Sequence, residues 1–267
     1  MSDVQVFQRK VFAYYRKHGR HFPWRESYDP YRIFISEVML QQTQADRVVK
    51  KYVEFLEIFP TVHSLASSSF NRVIRSWQGL GYNRRALYLK QAAKVIVEKY
   101  EGHIPREEMK LRELPGVGPY TAAAVPTFAY NIPTVFIETN IRSAFIHHFF
   151  SARKKVKDRE IIPLIRDALP RRNPREWYQA LMDYGAYVKR IHGNPGRRSA
   201  HHVRQSSFRG SNREIRGAIV RLLAEKKMRE TELTERLTAD RARARENLSR
   251  LREEGMIRKR FGIYEII

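Results

Sequence analysis

The chain has 267 residues and no cysteine. That absence excludes a disulfide framework, a cysteine nucleophile, thiolate metal sites and an iron–sulfur cluster on cysteine ligands. Long apolar runs are missing too; none approaches the roughly 20 residues needed to span a bilayer. The first ten residues, MSDVQVFQRK, hold no apolar segment of a secretory leader. Acidic residues are scarce beside basic ones: 28 Asp+Glu face 51 Lys+Arg, a formal net charge of +23. With 42% hydrophobic and 12% aromatic residues, disorder throughout is excluded and a real core is expected. The expectation is a soluble intracellular protein of roughly one to two domains. It would be cytoplasmic, and nucleoid-associated if prokaryotic. A polyanionic partner fits the charge, and nucleic acid is the commonest. On charge alone an anionic membrane surface or a ribosomal role stays open.

Residues 1–188 read as a bundle of short helices, so the fold class expected is mainly α. Val48, Val49, Tyr52, Val53, Leu56 and Phe59 recur at helical spacing. Pro23, Pro30, Pro60, Gly79, Gly81, Pro105, Pro115, Pro133 and Pro174 punctuate the pattern. Residues 189–211 change in character. From Lys189 to Arg213 the chain carries Arg190, Arg197, Arg198, Arg204 and Arg209 with no acidic residue, broken by Gly193, Pro195, Gly196 and Gly210. This reads as a basic linker or arm. Residues 212–267 read as a separate α+β unit. Ile215, Ile219, Leu222 and Leu223 mark one helix, residues 231–237 a second, and residues 240–253 a third with Leu248 and Leu251 inward. Two short strands around Gly262 follow. The unit resembles a winged-helix domain, a class that docks either DNA or protein.

Leu114-Pro-Gly-Val-Gly-Pro-Tyr-Thr-Ala-Ala-Ala-Val125 holds the first chemistry. Gly116 and Gly118 permit a tight turn with positive φ, and Pro119 suits the first turn of a new helix. Backbone N–H groups at such a turn form an anion site. The stretch resembles a helix-hairpin-helix element, whose glycine amides hold a DNA phosphate; the same turn also serves as a plain helix connection. Further on, Glu138 opens a polar Glu-Thr-Asn turn before another helix. A carboxylate there is either an ordinary cap or a catalytic group. Glu37 lies among Ile33, Phe34, Ile35, Val38, Met39 and Leu40. A carboxyl in apolar surroundings favours its protonated form and suits a general acid; the plain alternative is a side chain facing solvent or paired with an arginine.

Trp24-Arg25, the run Tyr31-Arg-Ile-Phe-Ile-Ser-Glu-Val-Met-Leu-Gln-Gln-Thr-Gln44, Gly79-Leu-Gly-Tyr82 and Leu114-Pro-Gly-Val-Gly118 together resemble the MutY-type adenine DNA glycosylases of the helix-hairpin-helix (HhH-GPD) superfamily. The resemblance covers residues 5–188. It implies a helix-hairpin-helix glycosylase fold of two helical subdomains, and hydrolysis of the N-glycosidic bond of an adenine mispaired with 8-oxoguanine or guanine, after that nucleotide is flipped from the duplex. By the resemblance Glu37 protonates the base and Glu138 stabilises the sugar cation, with Tyr120 and Asn140 assisting. Gln41, Gln42 and Tyr82 enter or line the disturbed stack. Gly116 and Gly118 hold the DNA backbone; separately, the basic arm with Arg197, Arg198 and Arg204 is expected to supply the phosphate contacts of the missing cluster loop. Trp24, Arg25 and Leu40 line the base pocket, although core packing explains Trp24 and Leu40 equally well. Strand-cleaving relatives carry a Schiff-base lysine where this chain has Tyr120, so a monofunctional enzyme is implied.

The chain departs from that family in three ways. The acid at position 138 is glutamate where relatives use aspartate. Leu181-Met-Asp-Tyr-Gly-Ala186 is not followed by the cysteine-ligated cluster loop, so no cofactor is expected. His192, His201 and His202 lack ligand spacing, and no metal is expected. The relatives' C-terminal Nudix-like domain is replaced by residues 212–267. The expected partner is duplex DNA with a mismatch or oxidative lesion, bound by a monomer without a membrane. Two rivals remain: a thymine or uracil glycosylase acting opposite guanine, and a non-catalytic DNA-binding protein with a glycosylase-like core.

Overall fold

The computed structural model describes residues 2–205, 207–237 and 239–267; Met1, Ser206 and Thr238 lie outside the described residues. Helices α1 (Asp3–His18), α2 (Pro23–Glu26), α3 (Pro30–Leu40), α4 (Ala45–Ile58), α5 (Val62–Ser67), α6 (Phe70–Ser76) and α7 (Arg84–Tyr100) come first. Then follow α8 (Glu108–Arg112), α9 (Pro119–Tyr130), α10 (Thr139–Phe149), α11 (Asp158–Ala168) and α12 (Pro174–Ile191). A turn of 3-10 helix, Pro195–Arg198, precedes α13 (Asn212–Glu225), β1 (Met228–Arg229), α14 (Glu230–Arg236), α15 (Arg241–Glu253), β2 (Ile257–Arg260) and β3 (Ile263–Ile266). No helix among the described residues is long and apolar enough to cross a membrane.

Local chemistry explains the helix starts. Pro23, Pro119 and Pro174 occupy first turns, where a missing N–H costs nothing. Ser2, Thr61, Ser69, Ser211 and Asp240 cap with side-chain oxygens on backbone N–H groups. In α4 the buried stripe is Val48, Tyr52 and Phe55, continued by Phe59 just past the helix. Val53 shares the apolar spacing but is 43% exposed; apolar type alone overcounts the face that packs.

The chain forms two compact units: Met1–Phe34, Arg106–Arg112 and Val117–Arg204 make the first, and Ile35–Pro105, Glu113–Gly116 and Gln205–Ile267 the second. In the first, α12 is the central helix, with α10 and α1 packed along it. Phe7, Phe145, Trp177, Tyr178 and Tyr184 fill the core. Helix α9 is buried through residues 121–129, as its small side chains permit. At Gly185 a Cβ would lie 2.1 Å from the Asn140 carbonyl oxygen. This glycine lets the start of α10 press on the α12 backbone.

In the second unit α5 and α6 pack on α7, and Trp77 is fully buried beside Phe55 at 6.1 Å. The winged-helix expectation holds: α13, α14 and α15 carry an antiparallel sheet of order β1-β3-β2. The strand β1 went unread because two residues give no periodicity. Phe261 and Gly262, at φ +50° and +78°, form the hairpin turn between β2 and β3. Helix α13 packs against α6. There Arg75 Nε donates to the Ala224 carbonyl at 2.6 Å, capping the end of α13, and Arg84 pairs with Glu254 at 2.7 Å.

Candidate functional site

Glu138 stands at the N-cap of α10 in extended backbone. Its Oε1 accepts from the N–H groups of Asn140 and Ile141, both at 2.7 Å, and its Oε2 accepts from Asn140 Nδ2 at 3.3 Å. Lys189 Nζ donates to Asn140 Oδ1 at 3.2 Å. The carboxylate therefore caps the helix and also joins a polar cluster with Asn140 and Lys189. Withdrawal from solvent pushes its pKa up, against the pull of the two amides and the charges of Lys189 and Arg142. The approach to Glu138 is lined by packed rings. Phe136 stacks on Tyr178 at 3.8 Å, Tyr178 donates to the Thr134 carbonyl at 2.9 Å, and Tyr120 packs edge-on to Phe136 at 5.6 Å.

The turn from α8 to α9 only partly follows the expectation. Gly116 has φ +75°, and a Cβ there would lie 2.6 Å from Tyr88 Cβ. Gly118 was expected at positive φ and is instead extended at φ −86°, the N-cap of α9. Nothing lies within 4 Å of where its Cβ would be, so the missing side chain leaves space beside the start of α9.

Trp24 is 6% exposed and stacks on Phe22 at 4.8 Å. Arg25 forks onto Asp183 through two bonds of 2.8 Å, and Arg20 joins the same carboxylate. Burial alone would raise the Asp183 pKa; the two guanidiniums and the Arg20 N–H overcome it and hold it below the ordinary value. The guanidinium of Arg25 is thus engaged with protein.

In the second unit Glu37 lies in α3 and is 5% exposed, between the equally buried Ser36 and Val38. Leu40 and Gln41 are half-buried, and Gln42 is exposed at φ +54°. The end of α3 and the loop at residues 79–82 share one arginine that sequence reasoning missed. Arg85, 9% exposed, donates to the carbonyls of Val38 and Met39 at 2.9 and 2.8 Å. It also reaches Thr43 Oγ1 at 3.0 Å and the carbonyls of Leu80 and Gly81 at 3.2 and 3.1 Å. Burial lowers its pKa to about 10. Its signal in the sequence is that Arg84 and Arg85 open a helix, where the macrodipole disfavours cations that have no specific partner. Tyr82 ends the loop at φ +48°.

The basic stretch after α12 divides among different tasks. The guanidinium of Arg198 donates to the carbonyls of Phe150, Arg153 and Ile146 at 2.7, 3.3 and 3.4 Å, and to that of Ser151, closing the end of α10. Arg197 and Arg204 are exposed. An iron–sulfur cluster does not fit here. The chain has no thiolate, and Pro195 and Gly196 are buried where the chain turns back against α10. The 3-10 turn ends in a bridge between Ser199 and Val156. His192 stacks on His147 at 4.3 Å, and no cluster of three metal-binding side chains occurs among the described residues.

These features describe a mainly helical protein with a helix-hairpin-helix turn, and comparison with known proteins gives its class. Residues 35–165 match the HhH-GPD superfamily of base excision DNA repair proteins. Adenine DNA glycosylase of Mycolicibacterium smegmatis is 30% identical over 235 residues, covering 80% of this chain and 79% of that protein. The Buchnera aphidicola enzyme of the same name is 31% identical over 185 residues, covering 68% of this chain and 53% of its own length. The chain thus spans about half or less of several curated relatives it matches. A solved thermostable thymine-DNA glycosylase superposes with TM-score 0.62 at 26% identity, over 69% of this chain and 86% of that one. The chain belongs to the adenine DNA glycosylase family of the HhH-GPD superfamily, in a form without iron–sulfur ligands.

Proposed function

We propose that the chain is a monofunctional DNA glycosylase that removes adenine mispaired with 8-oxoguanine or guanine. The observation that carries this is the burial of Glu37 within the Ser-Glu-Val-Met-Leu-Gln-Gln-Thr-Gln run of α3. A carboxyl withdrawn from water is suited to hold a proton near neutrality. In the reaction Glu37 donates that proton to N7 of the flipped adenine. The bond from C1′ to N9 then breaks, and its electron pair leaves with the base. Glu138 stabilises the positive sugar, and water adds at C1′ with loss of its proton to a carboxylate. The cluster of Glu138, Asn140 and Lys189 holds the stabilising carboxylate in place. Tyr120 has no amine for a Schiff base, so the product is an abasic site with the strand intact. Gly116 and Gly118 offer amides to a phosphate, Tyr82 acts as the stack-entering wedge with Gln41 and Gln42 beside it, and Arg197 and Arg204 add phosphate contacts. Residues 212–267 work as an appended unit on this glycosylase domain, and the partner is mismatched or oxidised duplex DNA.

One observation favours a second reading. One solved structure that superposes on 69% of the chain is a thymine-DNA glycosylase, and such an enzyme has less need of a purine acid. The test is excision from duplexes carrying A opposite 8-oxoguanine, A opposite G, T opposite G or U opposite G, with alkaline cleavage of the abasic product. The expected result is adenine release, abolished in Glu37→Gln, with no covalent adduct on borohydride treatment. Release of thymine without adenine, or full adenine release by Glu37→Gln, refutes the assignment.

A further inference from the structure

The loop at residues 79–82 is held on several sides. Arg47 Nη2 donates to the Gly79 carbonyl at 2.7 Å, and the Trp77 indole donates to that of Gly81 at 3.1 Å. Arg85 holds the carbonyls of Leu80 and Gly81. With the backbone fixed in this way, the remaining freedom at the loop's end is the Tyr82 side chain. That freedom is restrained by a residue far away in sequence. Arg213 Nη1 donates to the Tyr82 hydroxyl at 2.9 Å, and Gln205 Nε2 donates to the same oxygen.

Arg213 lies in the first turn of α13. That helix is itself anchored, because Arg75 caps its end. Glu254, just past α15, binds both Arg84 of α7 and Arg216 of α13. The guanidinium therefore reaches Tyr82 from a fixed support.

We propose that Arg213 is a positioning residue for Tyr82: through it, the C-terminal unit presets the wedge ring and so tunes how well the chain discriminates a disturbed base pair from an intact one. The inference rests on the wedge role proposed above for Tyr82. A ring that enters a base stack gives up torsional freedom, and a ring restrained beforehand gives up less on binding. A guanidinium suits the task because it only donates, so the phenol oxygen is held as the acceptor. It also explains why an appended unit with no carboxylate of the proposed reaction is docked beside this loop.

The test is a double-mutant cycle in the full chain with Tyr82→Phe, Arg213→Met and the pair together. Two duplexes are used, one with a tetrahydrofuran abasic analogue opposite guanine and one fully paired, and the ratio of their dissociation constants is read. Each single variant is expected to reduce the preference for the abasic duplex roughly three- to tenfold, the scale of one hydrogen bond. The double variant should lose no more than either single, and Arg213→Lys should recover part of the preference. Thermal melting of the single variants should stay near wild type. An unchanged preference in Arg213→Met, multiplicative losses in the double variant, or an equal loss on both duplexes overturns the proposal; the last would make Arg213 a plain phosphate contact. A wild type that binds both duplexes alike overturns it together with the wedge role. Adenine excision by the wild type is scored separately, so an intact cycle without excision sinks only the proposed reaction.

Discussion

Arg85→Met removes a guanidinium and keeps most of the stem volume. Five hydrogen bonds disappear, four of them to main-chain carbonyls at the end of α3 and in the 79–82 loop. Bonds from a charged donor contribute about 1.5–3 kcal/mol each in isolation. They share one group here, so their sum overstates the loss. Leaving a buried acceptor unpaired costs about 1–3 kcal/mol; with several acceptors sharing one lost donor, about 3–5 kcal/mol in all is the better measure. For a chain of this size each kcal/mol moves the melting temperature by about 2–4 °C, which predicts a fall of roughly 6–20 °C. Arg85→Lys brings an ammonium with at most three donors to five acceptors and should fall in between. Circular dichroism melting of the three proteins settles the order. A melting point for Arg85→Met within about 2 °C of wild type would refute the view that this one side chain ties the loop to α3. The same experiment has a functional arm. Duplex binding should fall in Arg85→Met well below the melting range, because the free carbonyls let the loop and the end of α3 move.

Two further outcomes follow from packing and titration. Gly185→Ala places a Cβ against the Asn140 backbone and should cost about 1–3 kcal/mol and slow excision. Gly217→Ala, with open space around it in α13, should leave stability equal or higher; equal melting curves for the two variants would count against the close α10–α12 approach. His148, bonded to the Tyr184 hydroxyl at 2.7 Å, has its pKa lowered by burial from 6.5 to about 4. The unfolded chain therefore binds the proton first, and stability falls as pH drops through the window from 6.5 to 4. His148→Phe should flatten that limb, and an unchanged pH profile would show that the ring titrates freely in the folded state.

Much of this architecture was legible because its signals are local. Prolines at first turns, capping hydroxyls and the apolar stripe of α4 each act within a few residues. So does the pair of glycines at the hairpin, although only Gly116 takes the left-handed backbone while Gly118 serves by having no side chain. The unread parts depend on distant partners. Nothing near Arg85 in sequence announces the carbonyls of Val38 and Met39, and nothing near Arg198 announces the end of α10. Lys189 was read as part of a basic run; its use appears only when α12 sets it beside Asn140. Sequence signals the charge of a side chain well before it signals the acceptor that the side chain meets.

The buried Pro195–Gly196 turn has a consequence for the conditions under which this protein matures. The corner after α12 is closed by protein groups alone. Here closure comes from a proline, a glycine and an arginine that are present as soon as the chain leaves the ribosome. No residue of that corner is a thiol. Thiol oxidation therefore cannot loosen it, and oxidation is also the chemistry that makes 8-oxoguanine, the base proposed above to stand opposite the excised adenine.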